Sequence, residues 1–78
     1  METKRNMVIK FMKEEKYKEA MKIAKGFKIE LNEEQRSIVT RGYESYTNPR
    51  FYISLHQDIQ ENIRKAIEVL KEIYKDEI

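Results

Sequence analysis

A chain of 78 residues with 16 Lys/Arg against 14 Asp/Glu carries a net charge of only +2, so bulk charge selects no partner. With no cysteine and one histidine it can build neither a disulfide framework nor a Cys/His zinc site, and no stretch approaches the roughly 18 consecutive apolar residues of a membrane helix. A hydrophobic fraction of 40% supports a core rather than disorder, and two glycines and one proline in a Lys-, Glu- and Ile-rich chain point to a nearly all-helical fold.

Residues 1 to 5 read as a frayed start to a single domain spanning 1 to 78. Lys4, Arg5, Lys10 and Lys13 break up Met7, Val8, Ile9, Phe11 and Met12, which is not the uninterrupted run of a signal peptide; a cytoplasmic protein is expected. Met7, Val8, Phe11 and Met12 give two turns of apolar stripe, which resumes at Tyr17, Ala20, Met21, Ala24 and Phe27. Glu15 and Lys16 fall where one continuous stripe would need apolar groups, so a helical hairpin is favoured over one bent helix. The run from Tyr17 to Ala24 resembles a tetratricopeptide-type helix, in which an aromatic and small residues let neighbours approach; no second copy follows at that family's 34-residue period.

Gly26, after Lys22 and Lys25, suits a left-handed residue closing the second helix. Phe27, Ile29 and Leu31 alternate with Lys28 and Glu30, but a lone strand has nothing to pair with, so an extended connection burying Phe27 and Leu31 is expected. Asn32 and Gln35 spell a capping box, and Ile38, Val39, Gly42, Tyr43 and Tyr46 form the inner face of the helix it opens. Glycine in mid-helix costs up to about 1 kcal/mol, which a close helix crossing would explain. Thr47-Asn48-Pro49 stops that helix and starts a short one, and His56 and Gln57 lead into the next.

The last helix carries Ile59, Ile63, Ala66, Ile67, Leu70, Ile73 and Tyr74 on one face and charges on the other. Asp58 and Glu61 read as its capping box, with Glu61 to Lys65 as a favourable i,i+4 pair. The expected fold is therefore all-α, a small bundle of four to five helices at residues 5 to 13, 16 to 25, 33 to 46, 49 to 55 and 58 to 76. Its core is assigned to Met12, Ala20, Ile23, Ile38, Val39, Tyr43, Ile63, Ile67 and Leu70.

No catalytic constellation is visible. His56 has only Ser54 and Asp58 beside it, and i+2 neighbours rarely converge; the acid pairs Glu33/Glu34 and Asp76/Glu77 splay about 100° apart on a helix. No phosphate loop or metal-ligand spacing occurs, so an enzyme, a cofactor and a metal are not expected. Tyr43, Tyr46, Phe51 and Tyr52 are four rings within ten residues and, with Arg50, have the composition of an interface hot spot. Tyr43, Tyr46, Arg50 and Tyr52 are the candidate protein-binding residues of an accessory or inhibitory factor. Its composition suits a phage or mobile-element reading frame, and the C-terminal stripe suits the seam of a homodimer. The alternative is nucleic-acid binding, because residues 1 to 31 hold nine Lys/Arg against five Asp/Glu and Lys18, Lys22 and Lys25 share one helical stripe.

Overall fold

The computed structural model describes residues 3–78, which form five helices and, among the described residues, no strand. The first, α1 (Lys4–Lys13), is started by the Thr3 hydroxyl, which accepts from the Asn6 amide at 3.1 Å. The expected fraying therefore does not extend to residues 3 to 5; residues 1 and 2 lie outside the described residues. Arg5 is held on three sides, by Glu77 at 2.5 Å, by Glu30 at 3.1 Å and by the face of the Tyr74 ring 5.5 Å away.

The chain reverses at residues 14 to 16 and returns as α2 (Tyr17–Ala24), the hairpin that the broken stripe implied. Glu15 makes the reversal by adopting φ 60°, while the Lys16 amide donates to the Phe11 carbonyl and the Glu15 amide to that of Met12. This is a Schellman closure without the glycine that usually supplies the left-handed residue. Gly26, by contrast, is not left-handed: α2 tightens at its end through i,i−3 bonds from the Gly26 and Phe27 amides, which need only ordinary φ values. The connection that follows bends. Leu31 is buried and Phe27 half-buried, whereas Ile29 swings out to 97% exposure.

Next comes α3 (Glu33–Thr47), opened by the full Asn32/Gln35 capping box. It runs into the short α4 (Pro49–Ser54) with Pro49 in the first turn, and α5 (Ile59–Ile73) completes the chain. The Asp58 carboxylate caps α5 by accepting from the Gln60 and Glu61 amides at 3.0 and 3.2 Å. The reciprocal half of that expected box is not made. Instead the Glu61 carboxylate turns to Arg64, which also reaches Glu68, because the planar guanidinium matches a carboxylate bidentately and outcompetes Lys65. This contact draws the Glu61 carboxyl below its ordinary range.

The most extensive helix interface is between α3 and α5. A Cβ on Gly42 would lie 2.4 Å from that of Ala66, so the backbones meet there at a separation no larger residue allows. Beside them the buried Ser45 hydroxyl donates to the Arg41 carbonyl and accepts from the Asn62 side-chain amide, so that it is satisfied on both counts. Around the crossing the core collects Val8, Met12, Ala20, Met21, Ala24, Leu31, Val39, Leu70 and Tyr74. Ile23, Ile38, Tyr43, Ile63 and Ile67, expected at its centre, instead pack half-buried around its edge. The apolar stripe of α5 thus packs on α3 of the same chain, with Ala66, Leu70 and Tyr74 buried and Ile59, Ile63, Ile67 and Ile73 half-buried along its edge.

Candidate functional site

The tyrosine corner forms where α3 stops. The Asn48 amide donates to the Glu44 carbonyl at 2.6 Å, and the Asn48 backbone, at φ −141° and ψ 63°, turns the chain so that Pro49 begins α4. The far end of α4 is closed like that of α1. His56 takes φ 60°, and the Gln57 and His56 amides return to the Tyr52 and Ile53 carbonyls.

These turns do not gather the four expected residues into one patch. Tyr43 is half-buried on the α2 side, with the Lys25 ammonium 5.5 Å over its ring. Tyr46, one turn on, remains 39% exposed; partial burial, together with nearby Tyr17 and Glu19, pushes its phenol above the usual range. Arg50 is exposed and makes no ion pair among the described residues. Tyr52 corrects the sequence reading: it turns inward to 6% exposure, and its hydroxyl meets the Glu44 carboxylate at 3.1 Å. Burial and that carboxylate raise its pKa. It is an anchor, not a contact residue.

What faces outward are its neighbours. Phe51, Ile53 and Leu55 are 52%, 56% and 51% exposed, and Phe51 stacks edge-on against Tyr52 at 5.1 Å. Sequence reasoning passed over Ile53, although the signal was present: Phe51, Tyr52 and Ile53 are consecutive and sweep about 200° of a helix, so a single turn cannot bury all three.

Ser54, His56 and Asp58 stay apart in function. The Ser54 hydroxyl donates to the Phe51 carbonyl, His56 is the left-handed closing residue, and Asp58 caps α5. Among the described residues no cluster of His, Cys, Asp or Glu is placed to hold a metal, and no helix is long and apolar enough to cross a membrane. Lys18, Lys22 and Lys25 are all exposed; Lys22 and Lys25, with Lys4, flank a groove between α1 and α2 that Lys18 does not line.

No protein-family model matches the chain, and no curated protein or solved structure is significantly similar to it.

Proposed function

We propose that this chain is a non-enzymatic protein-binding factor, accessory or inhibitory, that occupies a partner's surface through α4 and the end of α3. One observation carries the reading: four of the six exposed large apolar side chains among the described residues, Tyr46, Phe51, Ile53 and Leu55, fall within ten consecutive residues. Apolar surface left in water loses roughly 25 cal/mol for every Å² that a partner would cover. Arg50 adds the fork-shaped donor that accompanies aromatics at hot spots. The non-enzymatic part is supported by the backbone roles of Ser54, His56 and Asp58, which leave no nucleophile beside a base. Origin in a phage or other mobile element belongs to the same reading and rests on composition.

The test is capture from host lysate by the tagged chain, with and without nuclease, compared with Phe51→Glu/Leu55→Glu and with Lys18→Glu. A defined protein band should survive nuclease, persist with Lys18→Glu and vanish with the α4 pair at unchanged helical circular dichroism. Material lost on nuclease treatment, or retained by the α4 pair, would overturn the assignment and return the function to the basic stripe.

A further inference from the structure

A second surface shares no residue with α4. Met7, Phe11 and Ile23, each half-buried, floor an open groove of about 510 Å³ between α1 and α2. Among the described residues Lys4, Lys22 and Lys25 stand around it with Glu19 as the only acid, a balance of +2. Among the described residues none of the three lysines is engaged in an ion pair. Lys25 leans over the Tyr43 ring; Lys4 and Lys22 make no hydrogen bond or cation–π contact through their ammonium groups.

We propose that this groove receives an acidic amphipathic helix of a partner protein, with apolar side chains on Met7, Phe11 and Ile23 and carboxylates against Lys4, Lys22 and Lys25. Charge complementarity selects the sign of the partner and the apolar floor selects its class. A phosphate backbone would satisfy the lysines but leave the floor wet. A membrane surface takes up apolar groups that protrude, whereas these are recessed between two helices. A small ligand needs a pocket that buries roughly 70–90% of it, and an open groove does not. A helix has both required faces: apolar residues at i, i+3, i+4 and i+7 reach the floor while flanking acids meet the rim. With α1 at ten residues, about 15 Å long, the groove accommodates two to three turns of such a helix.

The test is a selection of displayed helical peptides of about 14 residues, roughly 21 Å long, against the full chain. Leucine is fixed along one face, and Glu, Lys and Gln are mixed equally at the flanking positions. Glutamate should exceed lysine among recovered peptides by about tenfold, as complementary rims discriminate between partners. Lys4→Glu with Lys22→Glu, which disturbs neither the core nor the Tyr43 contact, should reverse the preference. Phe51→Glu with Leu55→Glu should leave it unchanged, which separates this groove from the α4 surface. Recovery of no peptide, recovery without charge bias, or a bias that survives Lys4→Glu/Lys22→Glu would each overturn the proposal. So would binding of a labelled oligonucleotide that the same lysine pair abolishes, since the lysines would then belong to phosphate.

Discussion

At the α3–α5 crossing a glycine and an alanine let two helices of fifteen residues each approach to backbone contact, while at the end of α3 a helix of six residues is held by one ring. The first region has no spare volume and its buried Ser45 hydroxyl is satisfied by neighbours. The second leaves most of its apolar side chains in water. Tight packing uses small residues to bury large neighbours; the loose helix spends large residues without burying them. The fold is therefore set by the crossing, and α4 contributes little to it.

The difference can be attacked from both sides. Gly42→Ala should cost about 1–3 kcal/mol in urea unfolding, because its Cβ would meet that of Ala66, and adding Ala66→Gly should restore much of the loss. An unchanged midpoint for Gly42→Ala would mean the crossing is not tight. Tyr74, near the foot of α5, is the core's one flaw: its buried hydroxyl has no hydrogen-bond partner among the described residues. Tyr74→Phe should raise stability by about 1 kcal/mol. Burial, and after it the Glu30 carboxylate, raise the Tyr74 phenol well above its ordinary value. Its contribution is therefore intact below the unfolded phenol value near pH ~10 and is lost as pH rises above it. Tyr74→Phe should remove that alkaline loss, as read by circular dichroism between about pH 9 and 11.

Tyr52→Phe should cost about 1 kcal/mol through the lost bond to Glu44, and the amides of α4 should exchange faster while those of α5 do not. Gly26→Ala makes the contrast with Gly42: its φ is ordinary and the new methyl would meet only the Ile23 carbonyl at 3.6 Å, so a gain of about 0.4–1 kcal/mol is expected. Phe51→Glu should move the unfolding midpoint least, by less than about 0.5 kcal/mol, while removing partner capture.

Helices α3 and α5 were legible because each announces itself twice, by periodicity and by a cap, Asn32 with Gln35 and Asp58, and Pro49 marks the start of α4; α1 and α2, the latter with no side-chain cap, were legible from the broken stripe alone. Gly42 was legible as a crossing because nothing else justifies glycine there. Errors arose where a local rule had a competitor. Gly26 follows the pattern of a left-handed cap, yet the left-handed positions went to Glu15 and His56, where the reversal of the chain, not residue preference, fixes the backbone. Glu61 had two possible partners, and Arg64 outcompeted the backbone amide. Within the tyrosine corner, composition gave the location but not the direction of each ring. Tyr52 and Phe51 are adjacent rings, and which one faces the core depends on the turn at Asn48 and on the Glu44 carboxylate that the Tyr52 hydroxyl meets, neither of which composition specifies.

The helices of this bundle pack on elements adjacent along the chain or, at the α3–α5 crossing, one element further on, so their contacts span modest stretches of sequence. Arg5 is different, for it binds Glu77 across 72 positions and Glu30 across 25. Such a clasp closes only after the helices it spans are in place, so it falls late on the folding route and early on the unfolding one. The ion pairs are exposed and screened by salt. Raising ionic strength should therefore quicken unfolding while leaving the folding rate nearly unchanged, making Arg5 a kinetic latch rather than part of the nucleus.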